Sequence, residues 1–209
     1  MHLEGVQVGR PERVGELRTG FGKRPVFGHL RVGRENLEGD AQADRRYHGG
    51  PDMAALAYSA DHYPAWRAEL SWPELPVGGF GENLSVAGAS EATSCIGDVW
   101  RAGSALLQIA SPRKPCHKIS DYWGRPELLG LVVQSGRSGW YLRVLEEGEL
   151  QAGKEVELLE RPHPQWTVAR ALTIAERRRQ DPAAARELAE VAALSQRWKS
   201  WLRGEPARV

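Results

Sequence analysis

The sequence predicts a mainly β chain with helices (α+β): a β-rich, barrel-like unit followed by a small three-helix C-terminal segment. Three observations predict it. Up to about residue 160, short apolar runs of strand length alternate with turns such as "EGD", "HGGPD", "PVGGFG" and "EEGELQAG". That pattern favours a barrel or sandwich over a layered α/β sheet. After "RPHPQW" (161–166) the texture changes to helix formers placed behind cap residues. Finally, 209 residues suit one moderate domain, or one domain with a small appendage. The division falls at 1–162 and 163–209.

In chain order, strands are expected at "VFGHLRV" (26–32), "MAALAYS" (53–59), "ENLSV" (82–86), "GDVWRAG" (97–103), "SALLQIAS" (104–111), "GWYLRVLEEG" (139–148) and "KEVELLE" (154–160). One helix interrupts them at "SADHYPAWRAEL" (59–70), with Asp61 as its cap, Pro64 in its first turn and Tyr63, Trp66 and Leu70 on one face. A second lies near "RPELLGLVV" (125–133). In the tail, Thr167 opens "VARALTIAERRRQ", Asp181-Pro182 opens "AAARELAEVAAL", and Ser195 opens "QRWKSWLRG", which Gly204 stops. Trp198 and Trp201, at helical spacing, read as the core of this appendage or its docking face, and "ERRRQ" (176–180) as a solvated helix end.

Composition narrows the function. The 28 basic residues nearly cancel the 27 acidic ones, so bulk attraction to nucleic acid or to a membrane surface is not indicated. No apolar run approaches bilayer length and the start has no signal-peptide core. Two cysteines, Cys95 and Cys116, give neither a disulfide framework nor a zinc spacing. A soluble cytoplasmic protein with reduced thiols is expected.

The chemistry gathers in a few stretches. In "ASPRKPCHKIS" (110–120), Cys116 stands among Arg113, Lys114, His117 and Lys118, where a strand runs out into a loop stiffened by Pro112 and Pro115. Neighbouring cations favour the thiolate, the form that attacks or binds metal. The alternative is a buried structural cysteine, which the basic setting argues against here and which fits Cys95 better. In "GDAQADRRYHGGPD" (39–52), Arg45, Arg46 and His48 precede Gly49-Gly50, a loop able to form an anion nest or simply a glycine turn with a solvated face. In "GGFGENL" (78–84), Glu82 and Asn83 could read the edge of a heterocycle, or Asn83 could satisfy its own backbone. Arg143 in "GRSGWYLRV" either lines a pocket or makes a surface ion pair. Together the stretches suit a phosphorylated heterocyclic cofactor carrying a metal.

In order and spacing, "LEGDAQADRRYHGGPDMAALAYSADHY", "FGENLSV", "IGDVW", "ASPRKPCHKIS" and "GRSGWYLRVLEEGELQAGKEVEL" resemble the MOSC family, named for the C-terminal domain of molybdenum cofactor sulfurases. The match runs from about residue 25 to 160. The tail after "HPQWTVARA" resembles the three-helix extension of the stand-alone bacterial branch linked to resistance against 6-hydroxylaminopurine. The resemblance implies a MOSC-type β-barrel and a bound molybdenum cofactor (molybdopterin), a pterin dithiolene with a terminal phosphate. It implies that Cys116, matching the family's cysteine, is catalytic and ligates molybdenum or carries sulfur. Arg45, His48, Arg113 and Arg143 are then candidate contacts to phosphate or pterin. Asn83 is a candidate polar contact to the pterin, and Lys23 and Arg24 are further phosphate ligands. Two positions depart from the family pattern: Met53 stands where lysine is common, and Lys154 where aspartate is.

Three activities fit the resemblance. The first is an oxidoreductase reducing N-hydroxylated compounds (hydroxylaminopurines, hydroxamic acids). Two cysteines cannot hold a usual iron–sulfur cluster, so its electrons would come from an external flavin or iron–sulfur reductase. The second is a sulfur carrier holding a Cys116 persulfide received from a cysteine desulfurase. The third is a module that stores or delivers the cofactor. All three need Cys116 to face a cation-lined cavity wide enough for a tricyclic pterin.

Overall fold

Glycine-rich turns cut the first 160 residues into twelve short strands in the computed structural model, which describes residues 1–44, 46 and 48–205. In chain order they are β1 (His2–Val8), β2 (Glu12–Val14), β3 (Leu17–Thr19), β4 (Arg24–Pro25), β5 (Leu30–Val32) and β6 (Ala55–Ser59). There follow β7 (Leu84–Ala87), β8 (Val99–Ala102), β9 (Ala105–Pro112), β10 (Trp140–Glu146), β11 (Gly148–Leu150) and β12 (Val156–Glu160). The helices are α1 (Tyr63–Glu69), α2 (Lys118–Trp123), α3 (Glu127–Ser135), α4 (Val168–Glu176), α5 (Pro182–Ala189) and α6 (Gln196–Leu202).

Eight strands form one mixed sheet in the order β12-β8-β9-β10-β6-β7-β1-β4. Its neighbours are antiparallel except β6 and β7, which run parallel and so need the long crossover that carries α1. The sheet curls until its ends meet: the Leu3 amide donates to the Lys154 carbonyl (2.9 Å) and Val156 to Met1 (2.9 Å). The enclosed side holds the main apolar core, where Trp100 and Trp140 meet edge-to-face at 5.9 Å. A second cluster, built on Tyr58, Tyr63, Trp66 and Phe80, packs α1 and α3 on the outside. Residues of β6 serve both, which is why all five are buried.

The tail helices start where their caps are. Thr167 accepts from the Arg170 amide (3.1 Å), Asp181 from Ala184 (3.0 Å) and Ser195 from Trp198 (3.4 Å), each bond worth about 1 kcal/mol. They do not form a detached appendage. Val168, Leu188, Leu194 and Trp198 belong to the same buried cluster as Leu107 and Ile109 of β9, and the Ser195 amide donates to the Ala110 carbonyl at 2.9 Å.

Other expectations need correction. The strand expected over 26–32 survives only as β5, because Gly28 turns with φ +89°. Asp61 does not cap α1; its carboxylate accepts from the Gly88 amide at 2.9 Å. The sequence reading did not expect β1 and α2, the strand that closes the barrel and the helix that follows Cys116. Among the described residues no helix is long and apolar enough to cross a membrane.

Candidate functional site

The loop between β9 and α2 is anchored before it reaches the cysteine. The Arg113 amide donates to the Gly139 carbonyl at 3.0 Å, tying the end of β9 to the start of β10. Pro115 then restricts the backbone, and the Cys116 carbonyl accepts from Ile119 at 3.3 Å as α2 begins. The thiol is free and partly exposed. Cys95, by contrast, is buried, its sulfur 3.6 Å from the Pro164 carbonyl, and burial raises its pKa.

Opposite the cysteine stands the loop after β5. The Asp40 carboxylate pins it, accepting from the Gly9 amide (2.7 Å) and the Lys23 ammonium (2.5 Å). The chain then passes His48 and enters Gly49 and Gly50 with φ of +93° and +86°, a backbone only glycine adopts without strain. Thr19 to Phe21 and Gly81 add the remaining wall. The cleft so formed is lined by Lys23, Arg113, Lys114 and Lys118, with Asp40 the opposing carboxylate. Cys116, His48, Met53 and Tyr141 complete it.

The cleft, open on one side, has a volume of about 90 Å³, room for about three waters or an anion of phosphate size. A tricyclic pterin needs several times that, so only its phosphate end fits the cleft as it stands. A larger groove of about 670 Å³ lies between His29, Arg101, Glu149 and Lys154. Its charges are mixed and it has no thiol, so size alone does not make it the chemical site.

Two side chains report the cleft's field. Arg113 is 5 % exposed, and the one hydrogen bond its guanidinium makes among the described residues is a long one, 3.5 Å to the Ser138 carbonyl. A buried guanidinium without a carboxylate partner is costly unless an anion joins it. The His48 imidazole is held down to about 4, first by burial and then by the charges of Lys118, Arg113 and Arg197.

Between the ordinary histidine value of 6.5 and about 4, the unfolded chain binds a proton that the folded chain refuses. Stability from this group is therefore complete above 6.5 and is lost as pH falls through that window, by about 3 kcal/mol in total. Urea unfolding at pH 7 and pH 4.5 should show a smaller acid loss in His48→Gln than in wild type.

The sequence candidates divide. Lys23, His48, Gly49, Asn83, Arg113 and Cys116 line the cleft; Arg45 lies outside the described residues. Gly50 lies just beyond the lining and turns the chain into Pro51–Met53. Asn83 reaches it with its amide already engaged: Oδ1 accepts from the Leu56 amide (3.1 Å) and Nδ2 donates to the Gln7 carbonyl (3.2 Å). Glu82 is fully buried, away from the lining, and its carboxylate accepts from Tyr63, Gly78, Phe80 and Ser85. Arg24 is an exposed surface pair with Glu12 at 3.5 Å. Arg143 turns to Asp52 (2.5 Å), Gln108 and the Ala193 carbonyl. Sequence reasoning missed Tyr141, although strand alternation puts it on the same face of β10 as Arg143.

A family model described as the MOSC domain matches residues 44–157. A second, described as a YiiM-like 3-alpha helix domain, matches 166–203. The uncharacterised protein YflK of Bacillus subtilis is 43% identical over 185 residues, covering 88% of this chain and 83% of that protein. A protein of Gibberella moniliformis named a reductase is 38% identical over 157 residues, 74% of this chain; the match spans 28% of that longer protein. The crystal structure of YiiM from Geobacillus stearothermophilus superposes with a TM-score of 0.84 at 32% identity, covering 97% of each chain.

Proposed function

Because the chain belongs to the MOSC domain family, we propose that it binds a molybdenum cofactor in the Cys116 cleft and reduces N-hydroxylated compounds. One observation carries the reading: a nearly buried Arg113 guanidinium with no anionic partner among the described residues, beside a partly exposed thiol. The likeness to a protein named a reductase supports a redox role.

The donor set suits the cofactor. Arg113, Lys114 and Lys118 offer charge-assisted bonds to a phosphate. Cys116 offers one soft sulfur, the ligand type molybdenum bound by a dithiolene accepts. When bound, the cofactor supplies two-electron redox chemistry at a metal, and the protein's part is orientation and electrostatics.

Reduction of a hydroxylamine breaks its N–O bond and takes up two electrons and two protons, giving amine and water. The electrons come from an external flavin or iron–sulfur reductase. Tyr141 can deliver a proton. Its hydroxyl has no hydrogen-bond partner among the described residues, and burial raises its pKa, so the phenol stays protonated at neutral pH. Phe21, Met53 and Leu56 give the cleft an apolar side. The same reading places the protein in the cytoplasm, where free thiols stay reduced.

The test uses the full chain purified from a host that makes the cofactor. With a chemical electron donor it should convert 6-hydroxylaminopurine, or a hydroxamic acid, to the reduced product. No turnover by loaded protein, together with a stable persulfide on Cys116, would instead favour sulfur carriage from a cysteine desulfurase.

A further inference from the structure

The three-helix segment touches the cleft at two separate places. At α6, the Arg197 guanidinium lies 4.0 Å from the Met53 sulfur and donates to the Arg46 carbonyl at 3.5 Å. The Gln196 amide donates to the Asp52 carboxylate at 3.3 Å. Asp52 is also the partner of Arg143, which in turn donates to the Ala193 carbonyl at 3.0 Å. The loop carrying His48 to Met53 is therefore fastened to the helical segment on both sides of the Gly49-Gly50 turn. On the other rim, the Trp201 ring takes the Lys114 ammonium at 4.8 Å and the Arg178 guanidinium at 4.4 Å. Lys114 lines the cleft two positions before Cys116.

Position 53 faces the cleft and is methionine here. Among the described residues of this loop none places a lysine or arginine in the lining, and the guanidinium that touches the Met53 sulfur comes from α6. We infer that the helical segment backs the cleft and tunes it, with Arg197 adding positive charge from behind the neutral Met53. The field at the cleft agrees: Arg197 is among the charges that act on both His48 and Tyr141. Arg197 is an electrostatic positioning residue, since it stands behind the lining rather than in it. The inference rests on the cleft being an anion site, as proposed above.

The experiment reads anion binding without turnover. Inorganic phosphate is titrated into the full chain, and the rate at which iodoacetamide alkylates Cys116 gives an apparent dissociation constant from the protection observed. Arg197→Gln should weaken protection roughly threefold, the size expected for one exposed charge. Arg197→Lys should stay close to wild type. Adding Met53→Lys to Arg197→Gln should restore binding, which loss of a merely structural contact would not permit. Met53→Lys alone tightens phosphate by a similar factor, so the inference can be decided even if Arg197→Gln folds poorly. Arg101→Gln, in the distant mixed-charge groove, should change nothing. Unchanged phosphate binding in Arg197→Gln, or weakened binding that Met53→Lys fails to rescue, overturns the inference and leaves the anion cleft standing. Absence of phosphate protection in the wild type removes the anion cleft itself, and the inference with it.

Discussion

Cys116→Ala is expected to lower kcat on an N-hydroxylated substrate by on the order of 10³-fold or more, the scale seen when a group that acts at the reacting centre is deleted. The substitution removes a partly exposed sulfur at the end of a loop, so it leaves no core cavity and should cost little stability. It also leaves Arg113, Lys114 and Lys118 in place. If the proposed site holds, the bound pterin content should fall less than tenfold, because in that reading the cations and not the thiol carry the phosphate end. The diagnostic is the split: large loss of turnover, small loss of pterin, unchanged melting temperature. Pterin fluorescence after release, set beside steady-state rates, measures it. Cys95→Ala serves as the contrast, since that thiol is buried beside the Pro164 carbonyl and away from the cleft.

Glu82→Ala should have the largest effect on stability, about 3–5 kcal/mol. The carboxylate organises the whole 78–85 turn. One oxygen accepts from the Tyr63 hydroxyl (2.5 Å), the Gly78 amide (3.0 Å) and the Ser85 hydroxyl (2.7 Å), and the other accepts from the Phe80 amide (3.1 Å). Alanine strands the Tyr63, Ser85 and Phe80 donors in a buried region, while the Gly78 amide keeps its bond to the Tyr63 hydroxyl (2.9 Å); each unsatisfied donor costs about 1–3 kcal/mol before relaxation. Glu82→Gln keeps one oxygen and sets an NH₂ against the remaining donors, so it should lose about half as much. The turn also carries Gly81, whose φ of +80° and contact with Phe21 shape one wall of the cleft. Anion affinity should fall with stability in these variants, measured by urea unfolding and phosphate protection together.

Glu82 also shows where sequence reading stops. Glutamate and asparagine after a pair of glycines read equally well as ligand readers and as a turn's internal ties. What decides between them is whether backbone groups converge on the side chain, and for Asn83 those groups, the Leu56 amide and the Gln7 carbonyl, come from distant positions. The same limit applies to Arg143. Its strand was legible from alternation, but its partner Asp52 lies 91 positions away, and the neighbour that faces the cleft is Tyr141. Arg24 looked like a phosphate ligand beside Lys23, yet in an extended segment adjacent side chains point to opposite sides. Lys23 faces in to Asp40 and Arg24 faces out to Glu12.

Elements announced by local chemistry were legible. Thr167, Asp181 and Ser195 each cap the helix they precede, because an N-cap is decided within four residues. Cys116 was legible for a similar reason: its cations are neighbours in sequence as well as in space. β1 was not, since Gly5 interrupts its alternation and a register shift accommodates the irregularity. Nor was α2, six residues long and without a side-chain cap bond. The union of the helical tail with the barrel core was equally invisible, because it depends on apolar residues meeting across more than 50 positions.

In the proposed function the Cys116 sulfur becomes a ligand of a molybdenum centre held in this cleft. X-ray absorption at the molybdenum edge tests it most directly, on full-length wild type and Cys116→Ala loaded in the same host. Wild type should show one more sulfur neighbour than the variant, with similar pterin content in both. Identical sulfur shells in the two proteins, or a loaded wild type that retains no molybdenum, would contradict the account.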